Sequence, residues 1–222
     1  MNVLGIEGAL GGFSAAVATD GELVAQFACD GNVALERGLG IVDDTLHTAG
    51  LAPAALDRLA VGNGPGGFTG LRITIAYAKS LAQAWNLPLV AVSSFDLEEY
   101  GTNLHRALGI VSGRSGIISA RFREGDRIAR ASGPIAEVLR AVLPAPDERP
   151  LPVIGAPEGV LAALAEAGFL VEVRTPLVMP TAAAVALAGA SMRPAASAHE
   201  VRADYGEAPA AKIPTLPKAR RK

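Results

Sequence analysis

A chain of 222 residues, half of them hydrophobic, is long enough for one large domain or two small ones around an aliphatic core. Its formal net charge of −2 gives no general pull toward nucleic acid, so any RNA contact needs a local basic patch or a partner. A single cysteine, Cys29, excludes an internal disulfide and a cysteine-based metal site, and reads as a small hydrophobe in a strand. The first residues lack the basic region and apolar run of a signal peptide. No stretch approaches the roughly 20 apolar residues of a membrane span, so a cytoplasmic, soluble protein with no membrane partner is expected.

Residues 2–8 form a short apolar strand. Residues 13–28 read as a hairpin turning at Asp20-Gly21, a pair that tolerates the positive φ of a tight turn. Helical spacing of Leu35, Leu39, Val42 and Leu46 predicts a helix over 33–49, closed by Gly50. A strand at 56–64, a helix at 69–85 and a strand at 87–94 complete the order β-β-β-α-β-α-β. The second half repeats the theme. It has strands at 107–113, 116–122 and 127–132, a helix at 134–142 and a Pro-rich connector. A strand at 153–156, a helix at 160–167, a strand at 169–174 and an Ala-rich helix at 181–190 follow. The expectation is two related α/β lobes, 1–97 and a smaller 98–193, then a flexible tail over 194–222. Lys218, Arg220, Arg221 and Lys222 give that tail a small basic cluster.

Residues 62–72, GNGPGGFTGLR, look at first like a phosphate cradle. A Walker A loop requires a lysine at its end, and Phe68, Thr69 and Gly70 stand there instead. Gly62, Gly64 and Gly67 match G-x-G-x-x-G, but not after the first strand, with Pro65 stiffening the turn and no acidic residue about 20 positions on. Both nucleotide readings fail. The helix that follows is two-faced: Leu71, Ile75, Ala78, Ala82 and Trp85 share one side, and Ile73, Tyr77, Ser80 and Ala84 the other, with Arg72 and Lys79 on a polar stripe between. Small residues on the second side suit close approach of another helix; composition alone leaves open whether that helix belongs to the same chain.

The run Gly64-Pro65-Gly66-Gly67-Phe68-Thr69-Gly70-Leu71-Arg72 between strand and helix, with LAQAWNLPLVAVSSFD at 81–96, resembles the bacterial TsaB (YeaZ) family of tRNA threonylcarbamoyladenosine biosynthesis proteins. The resemblance extends over about residues 1–190. It implies the actin/Hsp70/sugar-kinase superfold, with two ribonuclease-H-like lobes. It also implies a non-catalytic subunit that pairs with a TsaD-type catalytic subunit, receives a TsaE-type ATPase, and homodimerises when alone. The assembly so implied places threonylcarbamoyl on N6 of adenosine 37 in ANN-decoding tRNAs, which this chain meets only through the complex. The interface expected from the motif comprises Gly64, Pro65, Gly66, Phe68, Thr69, Arg72, Ile73, Tyr77, Ser80 and Ala84. The glycines would allow close backbone approach there, Thr69 would cap the helix, and ATP or ADP held at the junction would meet Glu7, Gly66 and Thr69.

Three departures from the family pattern bear on chemistry. The opening strand has Ile6-Glu7-Gly8 where the family has Ile-Asp-Thr, residues 34–37 read Ala-Leu-Glu-Arg near the usual His-Ser-Glu, and Ser112-Gly113-Arg114 replaces Asp-Ala-Arg. Independent ATP hydrolysis is therefore not expected. His47, His105 and His199 stand alone, so the paired metal histidines of the catalytic partner are missing. Asp43-Asp44 and Glu98-Glu99 are sequence neighbours that point to different sides of a helix. No catalytic, metal or obligate cofactor site is expected. The rival reading, a small kinase or ATPase of the same superfold, would rest on Glu7 and on 112–116 as a second phosphate loop.

Overall fold

The computed structural model describes residues 1–10, 12–30, 36–113, 116–176 and 181–206. Of the residues singled out in the sequence, Ala34, Leu35, Arg114, Ser115 and the basic cluster at 218–222 lie outside those residues.

β1 (Asn2–Glu7), β2 (Phe13–Thr19) and β3 (Glu22–Cys29) form an antiparallel meander. The β2–β3 turn falls on Asp20 and Gly21, with φ of 52° and 86°, as a two-residue hairpin requires. After α1 (Gly38–Thr48) the chain adds β4 (Arg58–Gly64) parallel to β1, then α2 (Phe68–Trp85), then β5 (Leu89–Ser93) parallel to β4. A short helix, α3 (Ser94–Glu99), leads to the second sheet. There β6 (Arg106–Ser112), β7 (Ile117–Glu124) and β8 (Arg127–Pro134) repeat the meander. α4 (Ile135–Val142), β9 (Leu151–Ile154), α5 (Glu158–Glu166) and β10 (Val171–Arg174) repeat the parallel half. The strand orders β3-β2-β1-β4-β5 and β10-β9-β6-β7-β8 are one topology read from opposite edges. The two-lobe α/β fold expected from the sequence is therefore observed.

Two boundaries differ from expectation. The last helix, α6 (Ala182–Ser191), follows the second sheet in sequence but packs on the first, against β1, β2 and β4. Its small residues explain the choice. A Cβ on Gly5 would lie 2.4 Å from the Ala182 carbonyl, and one on Gly189 would lie 2.5 Å from Ala60, so only glycine lets helix and sheet meet at this separation. Ser14 Oγ accepts from the Ala182 N–H at one end of the helix, and Arg58 donates to the carbonyls of Gly189, Ala190 and Met192 at the other. Nor do residues 194–206 behave as a loose tail. Val201 is buried, and Ala195 and Asp204 donate to the backbone of Leu89 and Asn63.

The core divides accordingly. Leu4, Ile6, Val17, Leu59 and Val61 face α1 and α2, while Val3, Ala18, Ala60, Val90 and Val92 face α6. In the second sheet Leu108, Ile110, Ala120, Phe122 and Val153 pack beneath α4 and α5.

Candidate partner-docking site

The glycine elbow joins β4 to α2, and most of its glycines are explained by the chain's own backbone. A Cβ on Gly66 would sit 2.5 Å from the Ala9 carbonyl, and one on Gly70 would sit 2.0 Å from that of Gly8. Gly64, at φ 97° and preceding a cis Pro65, leaves no room beside the Asp204 carbonyl, 2.2 Å from where its Cβ would be. The elbow is pressed between the β1–β2 connection and the C-terminal strap 201–206. The close approach expected at a partner junction is thus used within the molecule. Gly67 N–H donates to Ala9 O, so this donor is also committed.

Thr69 does not cap α2. The N-cap is Gly67, without a side-chain cap, and Thr69 lies inside the first turn, exposed. Capping by Gly67 follows from geometry, because its extended φ and ψ let the Gly67 carbonyl accept from Leu71 N–H and open the helix. At the other end Asn86 adopts the left-handed conformation, φ 53°, and closes the helix through its own N–H.

The two faces of α2 separate as the spacing requires. Leu71, Ile75, Ala78 and Ala82 are buried against the sheet, with Thr74 between them. On the other side Ile73 and Tyr77 are half-buried, while Ser80 and Ala84 are exposed. Tyr77 packs edge-on against Phe13, with ring centroids 6.0 Å apart, and touches the place a Gly38 side chain would occupy, so α1 borders this face. Leu39 of α1 is also exposed. Of the remaining expected interface residues, Gly64 and Pro65 are buried, Gly66 is half-buried, and Phe68 and Arg72 are exposed.

Phe68 and Arg72 belong to a cluster that the sequence did not announce. Arg72 lies over the Phe68 ring at 5.2 Å, and Tyr205 of the strap stacks on the same ring at 4.8 Å. Lys79 donates to His199 O, and Asn63 to Arg202 O, so the strap covers the polar stripe of α2. No periodicity marks 195–206, and a stretch rich in alanine and proline resembles a disordered tail in composition alone.

Glu7 faces inward. It is 3% exposed; one carboxylate oxygen accepts from the N–H groups of Ala9 and Leu10, and the other has no partner among the described residues. That second oxygen lies against Gly62, where a Cβ would be 1.7 Å away. Burial pushes the carboxyl up to about 7 against the pull of the backbone N–H groups of Ala9, Leu10 and Gly8. Of the three residues expected to meet a nucleotide, Glu7 is therefore enclosed, Gly66 abuts Ala9 and Thr69 is at the surface.

Of residues 112–116, the second requirement of the kinase reading, 114 and 115 lie outside the described residues, and the Gly113 N–H donates to Ile117 O. Among the described residues no three His, Cys, Asp or Glu side chains are grouped to hold a metal. No helix there is long and apolar enough to cross a membrane. His47 lies in the last turn of α1, where the helix dipole favours a cation, and His105 and His199 are exposed.

The family described as TsaD, tRNA N6-adenosine threonylcarbamoyltransferase, matches residues 35–194. The chain is 38% identical over 94 residues to the tRNA threonylcarbamoyladenosine biosynthesis protein TsaB of Escherichia coli K12, and 37% identical over 76 residues to TsaB of Bacillus subtilis 168. The chain belongs to this family, in its TsaB/YeaZ group. The matched stretches cover 42% and 34% of this chain, and only 41% and 32% of the two curated relatives. A crystal structure from Pseudomonas aeruginosa, of an uncharacterized protein with similarity to peptidase YEAZ, superposes with a TM-score of 0.70 at 22% identity. That superposition covers 93% of this chain and 99% of the other, and it establishes the shared fold.

Proposed function

We propose that the chain is a non-catalytic docking subunit in tRNA threonylcarbamoyladenosine biosynthesis. In this reading it binds a TsaD-type catalytic subunit through the outer face of α2. The observation that carries it is the exposed small-residue side of α2 at Ser80 and Ala84, next to half-buried Ile73 and Tyr77, while the opposite side is fully engaged by the sheet. Small side chains let a second helix approach closely, and the rigid elbow fixes the angle at which α2 is presented. The α1 residue Leu39 extends the same surface. In the absence of the partner, two copies would pair through this face, and a TsaE-type ATPase would join the heterodimer. The tRNA would be met through the complex.

The enclosure of Glu7 supports a role without turnover. A carboxyl 3% exposed and turned onto Gly62 is poorly placed to position a metal or a water for phosphate chemistry. Any ATP or ADP at the junction would be met from this side by the exposed Thr69 hydroxyl. The test is reconstitution: purified chain, TsaD-type and TsaE-type subunits, threonylcarbamoyl-adenylate and tRNA. Modified adenosine should form only when this chain and the catalytic subunit are both present. Modification by the catalytic subunit at full rate without it would overturn the proposal, as would modification by this chain alone.

A further inference from the structure

The cleft between α3 and the second sheet has no part in the docking surface. β7 and β8 pair with Ser119 opposite Ser132, Arg121 opposite Arg130 and Arg123 opposite Ile128. Because side chains alternate along a strand, these six share one face. Ile118, Ala120, Phe122, Ala129 and Ala131 take the other, beneath α4. The polar face borders a cavity of about 670 Å³, lined by Asp96 and Glu99 of α3, the connection 101–105, and the three arginines. Arg130 also lines a smaller chamber of about 220 Å³ with Ser132, Asp204 and Gly206.

Like charges placed directly opposite across two strands repel. Arg121, only 5% exposed, is met by Asp96 and Glu99, and Arg123 by Glu99. Arg130 has no carboxylate within ion-pair distance among the described residues. It shares with Arg121 the ring of Phe95, at 6.0 and 5.2 Å. Asp204 borders only the smaller chamber and accepts from Gly206 N–H. Glu98, beneath the cluster, is pushed up to about 8 by burial and by Glu99, and adds no counter-charge at neutral pH. Three guanidinium groups thus face the larger cavity against two carboxylates. The excess charge sits at Arg130, beside the Ser132–Ser119 hydroxyl pair, whose oxygens are 2.8 Å apart.

We infer that this cleft binds a phosphate group, with Arg130 and the buried Arg121 as its cationic wall. Side-by-side guanidinium forks match the geometry of phosphate oxygens, and a ligand anion would relieve the cross-strand repulsion. The cavity is large enough for a nucleotide-sized molecule or one unit of a polynucleotide backbone. The proposal does not depend on the docking role.

The experiment titrates the full chain with inorganic phosphate, followed by amide NMR shifts of β7 and β8. It is repeated with Arg130→Gln and with Arg174→Gln, a control of equal charge change at the exposed end of β10. Saturable shifts at residues 119–132 are expected in the parent and the control, with binding at least about tenfold weaker in Arg130→Gln. A 20-nucleotide single-stranded RNA then separates the sources. Displacement of phosphate by it identifies a polynucleotide backbone, and no displacement identifies a small phosphorylated molecule. Equal binding by Arg130→Gln and the parent, or no saturable shift in the parent, would overturn the inference. Unchanged melting temperatures without phosphate would show that the variants are folded.

Discussion

The two sheets share a topology and differ in what covers them. The first is closed on both faces, by α1 and α2 on one side and by α6 on the other. The second is closed on one face by α4 and α5, and its other face carries Ser119, Arg121 and Arg123 toward a cleft. The β4–α2 elbow is clamped by backbone on two sides and presents a helix of 18 residues. Its counterpart after β9 leads into a helix of 9. The chain thus carries two copies of one scaffold, of which one is a platform for a helix and the other keeps an open charged face. α6, donated by the second half of the chain, is what completes the platform.

Glycine substitutions break this comparison most sharply. Gly70→Ala puts a methyl 2.0 Å from the Gly8 carbonyl, and because both are backbone, neither yields easily. A loss of about 3 kcal/mol or more is expected in urea unfolding. The analogous Gly159→Ala in α5 meets only Ile135 at 3.9 Å and should change stability by less than about 1 kcal/mol, in the stabilising direction. Similar losses at both positions would show that the two elbows are equally constrained.

The platform also depends on its borrowed helix. Replacing Arg58 by Met removes a cation shared by three carbonyls at the end of α6 and leaves them unsatisfied. About 2 kcal/mol should be lost, with hydrogen exchange of α6 accelerating ahead of β6–β9. Uniform acceleration across both sheets would mean that α6 is not a first-lobe element.

Two buried carboxyls sharpen the comparison through pH. Glu7 under the elbow and Glu98 at the second sheet hold their protons up to about pH 7 and 8, against 4.5 for the ordinary group. Between 4.5 and those values the folded chain binds more protons than the unfolded chain, so stability falls as pH rises through the window and levels off above it. Glu98→Gln should therefore stabilise the chain at pH 8.5, by on the order of 2 kcal/mol, and leave it unchanged at pH 4. Glu7→Gln should do the same with its effect complete by about pH 8. Thermal melts across this range check both, and a pH-independent effect of either variant would contradict the assignment.

Much of this was legible in the sequence for a physical reason. Alternating and 3.6-residue patterns reported local burial, so the succession of strands and helices along the chain, the hairpin at Asp20-Gly21 and the two sides of α2 followed directly. Contacts made by small or featureless residues were not legible. The Ala-rich pattern of α6 is buried nearly all round and names no sheet, and the strap was masked by its composition. The glycines of the elbow were assigned from sequence to a partner's approach. Only the positions of Gly8, Ala9 and Asp204 show that they answer to the chain itself. Arg121, Arg123 and Arg130 carry no motif, and only the register of β7 and β8 places them together.

The proposed docking of the catalytic subunit on the outer face of α2 is tested by direct binding. Ser80→Glu with Ala84→Arg alters two exposed residues and should change stability by less than about 0.5 kcal/mol. Calorimetric titration with the purified TsaD-type subunit should show at least about a hundredfold loss of affinity for this variant, and none for Arg174→Gln on the second sheet. Undiminished binding by the double variant would contradict the account.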